Sequence, residues 1–369
     1  MSRSLAAAQQ FAPQDQVLEV RDYGQGNVND TFLVTLEGAF TKYFILQRLN
    51  PRVFPRPELI MQNLRTFTEH LRRRLELAPL PPGRRWEVPL MLLTRDGGDH
   101  WLDPEGSFWR ALSFIDNAQS YDTLQDLEQA REVGYTLGLF HHLLSDLPPE
   151  RLADTLPGFH ITPSYLRHYE GVCVQNPGKW SPEADYCHRF IKERRGWAGV
   201  LEDAKAVGKL PLRTIHGDPK VNNVMLDPAT GRAVGLVDLD TVKPGLVHYD
   251  LGDCLRSCCN PWGEETMDWD AVRFDPETCR ALLQGYLSQA RNFLTAADYD
   301  YLYDAIRLLP FELGLRFFTD YLEGNVYFKA RGPEHNLARA LVQFRLTASI
   351  ESQEGAVRGI IKELSGGES

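Results

Sequence analysis

The residues best suited to chemistry lie close together in the sequence, between Thr214 and Asp240, where the chain reads TIHGDPKVNNVMLDPATGRAVGLVDLD. This stretch holds Asp218, then Asn223 five residues later, and Asp238 beyond an intervening turn. Carboxylate and amide oxygens are hard ligands of the kind that Mg²⁺ accepts beside the phosphates of a substrate. One catalytic carboxylate with two further oxygen ligands for a metal ion is the arrangement that phosphoryl transfer uses. These residue types therefore indicate chemistry on a phosphate group.

A hairpin is expected to hold these residues at one edge. The apolar run from Ala233 to Val237 is typical of a strand that ends just before Asp238. Asp227, Pro228 and Gly231 are turn-forming residues that would separate this strand from the preceding arm. The two arms would then bring the carboxylates and the amide together.

The composition limits the classes of protein to which the chain can belong. Its 369 residues are enough for two lobes or domains. A formal net charge of −10 argues against a nucleic-acid-binding protein, which needs clustered Lys and Arg. No apolar run approaches the roughly 18 residues of a membrane span, and the first residues lack the apolar core of a secretory signal. The cysteines form no CxxC pair, so we expect reduced thiols in a cytoplasmic protein.

The first part of the chain has the pattern of an antiparallel sheet. Strands are predicted at 17–23, 31–36, 42–49, 88–94, 100–102 and 107–115, with a helix over 57–76. Gly24, Gly26 and Asn29 fall in the turn between the first two strands, where glycine lets the backbone approach phosphate groups. On its own this turn is more typical of an ordinary hairpin. It gains significance only from the stretch at 214–240.

From about residue 116 the pattern becomes helical. Helices are predicted over 123–147, within 150–210, and over 276–293, 298–323 and 337–364, with a kink or break at Pro310. Glu312, Arg316 and Asp320 lie four residues apart on one helix face. That face is either a ladder of surface ion pairs or a polar surface that grips hydroxyl groups. The expected fold class is α+β, with residues 1–115 forming a sheet lobe and residues 116–369 a mainly helical lobe.

The stretch at 214–240 resembles the signature of the aminoglycoside phosphotransferase and choline kinase superfamily through HGDPKVNN and LVDLD. That superfamily shares the bilobal protein-kinase-like fold. The N-acetylhexosamine 1-kinases are similar to this chain in four stretches: YGQGNVNDTFLVT, YFILQRLNPRVFP, LVDLDTVKPGLVHYDLGD and FFTDYLEGNVYF. The resemblance runs over nearly the whole chain. It implies an N-terminal nucleotide-binding lobe, a C-terminal lobe with the substrate site, and the use of ATP with Mg²⁺.

The resemblance also implies the roles of the residues in the motif. Asp218 would be the catalytic base or would orient the acceptor hydroxyl as it attacks the γ-phosphate. Lys220 would touch the transferring phosphate, although a solvated loop lysine would have the same spacing. Asn223 and Asp238 would hold Mg²⁺.

Other residues would support the catalytic loop or contact the acceptor. His216 and Asp250 would hold the loop in place. Asp240 would either support the metal ion or contact the substrate. Further substrate contacts are expected from three residues of the later helix, Arg316, Asp320 and Tyr321.

The nucleotide site departs from the pattern of protein kinases. The third strand would end in a lysine that grips phosphates, whereas here it reads Ile-Leu-Gln-Arg with no lysine. Gln47 and Arg48 would lie on opposite faces of that strand, and the resemblance favours Gln47 in the cleft. We expect Gln47 to pair with Asn63 on the following helix. Adenine would be held by main-chain groups near Phe114 and Ile115.

The function that the resemblance implies is phosphorylation of the anomeric hydroxyl of N-acetylglucosamine or N-acetylgalactosamine. The alternatives are a kinase for another hydroxyl compound, such as homoserine, choline or an aminoglycoside, and an inactive kinase-like binding protein. The expected partners are ATP and a small sugar, without nucleic acid or membrane. The protein is expected to be a monomer or a weak homodimer.

Overall fold

The computed structural model of the chain describes residues 2–12, 16–24, 28–38, 42–175 and 181–366. Gly26, one of the expected nucleotide-binding residues, lies outside these ranges. The first elements are α1 (Arg3–Gln10), β1 (Gln16–Asp22), β2 (Asp30–Glu37), β3 (Tyr43–Arg48), α2 (Pro57–Leu77), β4 (Met91–Leu92), β5 (Trp101–Leu102) and β6 (Phe108–Ser113). The strands form one six-stranded sheet in the order β1-β2-β3-β6-β4, with β5 paired to β6, and every strand pair is antiparallel.

The two faces of this sheet differ in polarity because successive side chains of a strand point to opposite sides. On one face, α1 covers an apolar cluster that includes Val34, Phe44, Leu46 and Trp109. On the other face, Gln47 of β3 stands directly between Thr31 of β2 and Arg110 of β6. A polar row therefore crosses the three central strands.

The helix α2 joins the sheet to the rest of the molecule. It begins with Pro57, whose missing N–H costs nothing in the first turn of a helix. Its first turns pack Ile60 and Met61 beside the sheet residue Phe108. Its later turns contribute Phe67 and Leu71 to the main core of the helical part. The helix predicted over 57–76 is confirmed.

The remainder of the chain is mainly helical, so the predicted α+β class is confirmed. No helix among the described residues is both long and apolar enough to cross a membrane. The elements are α3 (Leu127–Leu144), α4 (Thr162–Gln175), α5 (Pro182–Arg194), α6 (Val200–Ala206), β7 (Arg213–Ile215), β8 (Val224–Leu226), β9 (Ala233–Leu236), β10 (Lys243–Gly245), α7 (Val247–Cys258), α8 (Pro276–Ala290), α9 (Ala296–Asp300), α10 (Leu302–Leu322), α11 (His335–Ser352) and α12 (Glu354–Leu364).

The helices α3 and α8 pack unusually closely behind the hairpin of β8 and β9. A Cβ atom on Gly134 of α3 would lie 1.9 Å from the carbonyl oxygen of Leu282 on α8. Gly285 of α8 is equally close to the backbone of Arg131. These glycines let the two backbones meet, and the same core includes the hairpin residues Leu226 and Leu236.

Two helix boundaries differ from those expected. The predicted kink or break at Pro310 is not a break, since α10 continues through Pro310, and the chain is interrupted earlier, at Tyr301. Pro310 is buried. The packing around it compensates for the backbone hydrogen bond that is lost because proline has no N–H group. The single helix predicted over 337–364 is two helices, α11 and α12, which meet at Gln353.

Candidate active site

The loop after β7 is held by one buried carboxylate. Asp250 of α7 accepts hydrogen bonds from the backbone N–H groups of His216, at 2.6 Å, and Gly217, at 2.7 Å. Gly217 has a φ of +90°, and a Cβ atom there would lie 2.8 Å from the carbonyl oxygen of Thr241. Only glycine fits this turn without strain, and the turn presents Asp218. The expected support from Asp250 is therefore visible in the hydrogen bonds.

Two histidines stabilise the same loop. His141 of α3 is buried and lies 2.9 Å from Asp250 Oδ2 and 3.0 Å from the hydroxyl of Tyr286. The imidazole of His216 accepts a hydrogen bond from the N–H of Asp218 and donates to the carbonyl of Val237 at 2.9 Å. Burial lowers the pKa of His216, which keeps the ring neutral in this arrangement. His216 thus ties the Asp218 loop to the strand end before Asp238.

The hairpin forms as predicted. β8 and β9 pair antiparallel, with Val224 opposite Leu236. Asp227 makes the turn, because its carboxylate accepts from the N–H groups of Ala229 and Thr230. Beyond the ladder, Val237 N–H donates to the carbonyl of Asn223 at 2.9 Å. Asn223 therefore lies across from the residue that precedes Asp238.

Asp218, Lys220 and Asn223 are in direct contact. The ammonium of Lys220 lies 2.9 Å from Asp218 Oδ2. The amide nitrogen of Asn223 donates to the carbonyl of Asp218 at 2.8 Å, which leaves the amide oxygen for another ligand. The pKa of Lys220 is raised mainly by Asp218, and Asp238 and Asp253 add to this effect. Lys220 is therefore a fixed positive charge among carboxylates.

Negative charges around Asp238 favour a bound cation beside its carboxylate. Its backbone is left-handed, with a φ of +60°, which turns the chain sharply after β9. The residue is exposed to solvent, although protein atoms surround its carboxylate. Enclosure by protein, together with the charges of Asp240 and Asp218, raises the pKa of Asp238 to about 7. A bound cation would relieve this repulsion and favour the charged carboxylate.

The oxygen donors fit a magnesium ion that is shared with phosphates. Asn223 and Asp238 supply one amide oxygen and one carboxylate, and Mg²⁺ typically keeps waters and phosphate oxygens as its other ligands. Over the described ranges, no group of three His, Cys, Asp or Glu side chains is placed to hold a metal ion. The donor set therefore suits a metal ion that arrives with a nucleotide better than one held by the protein alone.

Asp240 has no free carboxylate oxygen. It is buried, and its two oxygens accept hydrogen bonds from Asn29, at 2.7 Å, and from Arg110. Its backbone carbonyl accepts from Thr155 at 3.0 Å. Of the two roles expected for Asp240, this placement fits support of the Asp238 segment and does not fit contact with a substrate.

The expected pairing of Gln47 with Asn63 is wrong. Asn63 faces the helical part, where its amide bonds the backbone of Ala153 and Val242. Gln47 instead donates to Thr31 at 3.1 Å and accepts from Arg110 at 2.7 and 3.0 Å. The long side chain of an arginine on the adjacent strand reaches Gln47, whereas Asn63 is held elsewhere by its own three bonds.

The remaining residues expected to bind nucleotide surround the edge of the sheet. Gly24 has a φ of +73° and is exposed, as a turn residue over a ligand would be. Phe114 is half-buried between the rings of Tyr23 and Tyr43, with centroid distances of 6.2 and 5.7 Å. Ile115 is buried beside it. Among the main-chain groups after β6, the carbonyl oxygens of Asp116 and Asn117 accept hydrogen bonds from Arg85.

The polar face predicted on α10 divides into three separate environments. Glu312 is buried, and its carboxylate lies 2.9 Å from His160 Nδ1 and 2.6 Å from Thr162 Oγ1. Asp320 accepts from the backbone N–H groups of the following loop, namely those of Val326, Tyr327 and Phe328. The side chains on one helix face thus serve different partners.

Two of the expected substrate contacts do not fit this arrangement. The carboxylate of Asp320 is buried and fully engaged by the loop and by Asn336, so it shapes the loop at 325–332. The ring of Tyr321 is half-buried and stacks on Phe318, with 6.2 Å between centroids, against the apolar core. Both side chains point away from a substrate because the loop and core of this region take them up.

Arg316 is placed differently, at the centre of four aromatic rings. Its guanidinium carbon lies 5.0–5.9 Å from the ring centroids of Tyr165, Phe159, Phe328 and Tyr327. Among the described residues, Arg316 contacts these rings and forms no ion pair with a carboxylate. An open cavity of about 500 Å³ is lined by residues 325–332 of the same loop. Arg316 itself does not line this cavity, but two of the rings around it, those of Tyr327 and Phe328, do.

Two further buried polar residues lie near the loop, and the first of them, His160, was not predicted from the sequence. His160 connects Glu312 to the carbonyl oxygen of Gly217, 2.9 Å from its Nε2. Asp253 receives a 2.7 Å hydrogen bond from Arg256, while its other oxygen is buried without a partner in the described chain. Asp253 was visible as a polar residue in LGD, but its open oxygen depends on packing.

The chain is similar to known proteins in both sequence and structure. Residues 19–292 match a family described as the phosphotransferase enzyme family. The aminoglycoside 3'-phosphotransferase of Streptomyces ribosidificus is 36% identical to this chain over 78 residues. That match spans 19% of this chain and 30% of the length of the relative.

Solved structures share the fold at low sequence identity. The aminoglycoside phosphotransferase of Alicyclobacillus acidocaldarius superposes with a TM-score of 0.61 at 15% identity, over 97% of this chain and 95% of its own. Choline kinase from Cryptosporidium parvum gives 0.57 at 14%, over 92% and 91%. Spectinomycin phosphotransferase, solved with ADP and spectinomycin, gives 0.52 at 14%, over 92% and 93%. These similarities confirm the predicted kinase-like fold, and the family match covers more than half of the chain: it belongs to the phosphotransferase enzyme family.

Proposed function

We propose that the protein is an ATP- and Mg²⁺-dependent kinase that phosphorylates the anomeric hydroxyl of an N-acetylhexosamine. The observation that carries this choice of acceptor is the aromatic surround of Arg316. Aromatic faces suit the apolar faces of sugar rings, and a guanidinium donates well to the carbonyl oxygen of an acetamido group. The spectinomycin phosphotransferase with the same fold is solved with ADP, which supports an adenine nucleotide as donor.

The chemistry would be centred on Asp218. Its carboxylate accepts the hydrogen of the acceptor hydroxyl and points the oxygen at the γ-phosphate, where orientation contributes more than early proton removal. Lys220, 2.9 Å from Asp218, stabilises charge on the transferring phosphate. Asn223 and Asp238 would hold Mg²⁺, which supplies neutralisation of phosphate charge when it is bound. The loop stays rigid because Asp250 holds two of its backbone N–H groups.

The surroundings of Arg316 disfavour a cationic acceptor. Aromatic rings of this kind attract quaternary and primary ammonium groups, but here the protein's own guanidinium occupies the position among them. Choline or an aminoglycoside would meet a like charge, which costs affinity. A neutral sugar meets no such penalty.

A panel of acceptors tests this proposal. The protein is incubated with Mg²⁺ and ATP and with N-acetylglucosamine, N-acetylgalactosamine, glucose, choline or kanamycin, and ADP release is followed. Turnover is expected with the acetylated sugars, and phosphorus NMR should place the phosphate on the anomeric oxygen. Turnover with choline or kanamycin alone would reject the proposed acceptor, and absence of turnover with every hydroxyl compound would favour a binding protein.

Arg316→Met tests the acceptor contact directly. Loss of a charge-assisted hydrogen bond should raise the KM for the acetylated sugar at least about tenfold and leave the KM for ATP unchanged. The matched control is Arg345→Met, because Arg345 also lies over a ring, that of Tyr186, but is exposed and lies over none of the rings around Arg316. Equal effects of the two substitutions would contradict the assignment.

A further inference from the structure

Arg110 occupies a special position in the sheet. On β6 it stands directly opposite Gln47 of β3, and its Nε and Nη2 donate to Gln47 Oε1 at 3.0 and 2.7 Å. Within the described part of residues 2–115, it is the one Lys or Arg side chain that is buried. Burying a guanidinium is costly unless its hydrogen bonds and its charge are satisfied, so its partners indicate what it does.

The counter-ion of Arg110 comes from the helical part of the chain. Nη2 is paired with Oδ1 of Asp240, which follows Asp238 by two residues. The other oxygen of Asp240 is held by Asn29, whose own oxygen accepts from Asn50 N–H at 2.9 Å. Arg110 therefore lies close to the segment that would hold the metal ion.

The neighbouring arginine is on the wrong side of the sheet. Arg48 follows Gln47 by one residue, so its side chain points to the opposite face. It pairs with Asp30 and lies 5.8 Å from the ring centroid of Trp109, and it is 38% exposed. This leaves Arg110 as the cation on the face of the central strands that meets Asp240.

We propose that Arg110 binds the phosphates of the nucleotide, in place of a lysine at the end of β3. A planar guanidinium has five N–H donors, so it can hold Gln47 and Asp240 and still offer one nitrogen to a phosphate oxygen. Nη1 is that nitrogen, because no acceptor for it exists in the described chain. Asp240 holds the Arg110 guanidinium, and Asp238 would hold the metal ion. One short segment would therefore position both positive charges. The inference rests on the proposed use of ATP and not on the choice of acceptor.

Nucleotide binding without any acceptor tests the inference. Affinities for adenosine and for ADP with Mg²⁺ are measured by calorimetry on the full chain and on Arg110→Met. Wild-type protein should bind ADP more tightly than adenosine. In Arg110→Met the affinity for ADP should fall at least about tenfold, the loss expected for one charge-assisted hydrogen bond, while the affinity for adenosine should change less than about twofold.

Matched variants separate this role from a structural one. Arg48→Met removes an arginine from the neighbouring strand and should alter neither affinity. Gln47→Lys in the Arg110→Met background returns a cation to the cleft and should recover most of the ADP affinity. If Arg110→Met fails to fold, Arg110→Lys replaces it, and a single ammonium engaged by Asp240 should still weaken ADP binding severalfold with adenosine unchanged.

The outcomes are distinct. Equal losses of adenosine and ADP affinity, or no loss of either, would overturn the phosphate-binding role of Arg110 even if sugar phosphorylation is observed. Wild-type protein that fails to bind ADP would overturn both this role and the proposed use of ATP. Normal ADP binding without phosphorylation of acetylated sugars would contradict the proposed acceptor, and selective loss of ADP affinity in Arg110→Met would still support the inference.

Discussion

In the helical part of the molecule, Nδ1 of His160 lies 2.9 Å from Oε1 of Glu312, and both side chains are buried. The Nε2 of the same imidazole reaches the carbonyl oxygen of Gly217, which directly precedes Asp218. A carbonyl oxygen only accepts, so Nε2 carries a hydrogen. The φ of His160 is +64°, which is uncommon for a residue other than glycine. Helix α10 is thereby connected to the loop that carries Asp218 through one side chain.

This pair should make stability depend on pH. Burial lowers the pKa of His160, but the charge of Glu312, aided by Asp253 and the Gly217 carbonyl, outweighs it, and the net shift is upward. Because the pKa of His160 is higher in the folded protein than in the unfolded chain, protonated His160 stabilises the fold. This stabilisation is complete below the unfolded pKa of about 6.5, and it is lost as pH rises through the folded pKa. His160→Gln should therefore cost roughly 3 kcal/mol near pH 6 and distinctly less at high pH, measured by urea unfolding.

His188→Gln is the control for that experiment. Burial lowers the pKa of His188. The contribution of His188 to the free energy of unfolding is therefore present at high pH and is lost as pH falls below about 6.5. The cost of this substitution should therefore be larger at high pH, the opposite trend. A cost of His160→Gln that is the same from pH 6 to pH 9 would show that the imidazole is neutral in the folded protein.

Asp218→Asn should lower kcat by at least about a hundredfold, because the amide cannot accept and orient the hydroxyl hydrogen in the same way. ADP binding should be nearly unchanged. The same substitution at Asp227, in the turn of the adjoining hairpin, should have little effect, since asparagine also supports such turns. Turnover of Asp218→Asn close to wild type would remove Asp218 from the role of base.

Asp238→Ala should weaken ADP binding in the presence of Mg²⁺ but not in the presence of a chelator. The reason is that the carboxylate would contribute to nucleotide affinity only through the metal ion that it holds beside Asn223. Calorimetry with and without Mg²⁺ gives both values. If the gain in affinity on adding Mg²⁺ is as large in the variant as in wild type, the metal ion is held elsewhere.

Asp320→Asn should disturb the acceptor side alone. The carboxylate accepts from three successive backbone N–H groups of the loop, and that loop carries two of the rings around Arg316. We expect a rise of about tenfold in the acceptor KM with the ATP KM unchanged, since each such bond contributes about 1.5–3 kcal/mol. Glu323→Gln, at the exposed end of the same helix, should leave both constants unchanged. A similar acceptor KM in both variants would show that the loop keeps its shape without Asp320.

Features that depend on neighbours in sequence were predictable. The hairpin at 224–236 follows from an apolar run and a turn made by Asp227 and Gly231, and all the residues involved lie within a short segment. The α+β class follows in the same way, because alternation along strands and helical spacing are local patterns. The alternation along β3 also places Gln47 and Arg48 on opposite faces.

Features that depend on distant partners were not predictable. The polar spacing of Glu312, Arg316 and Asp320 is the same in an ion-pair ladder and in a binding surface. Packing distinguishes these possibilities. His160 contacts Glu312, aromatic rings surround Arg316, and backbone N–H groups of a loop donate to Asp320. The error at Asn63 has the same origin, because its partners belong to segments about ninety and more residues away.

The local sequence alone was enough to single out Asp218, Asn223 and Asp238 and the hairpin that joins them, since turn chemistry and strand pairing act over a few residues. The pairing of Arg110 with Asp240 joins residues 130 positions apart. It exists only because the sheet and the helical part meet at the cleft. Two buried charges need each other in a medium of low polarity, but no local pattern shows which charges will be buried together. The tertiary structure alone decided that an arginine of β6 stands beside the segment that ends the hairpin.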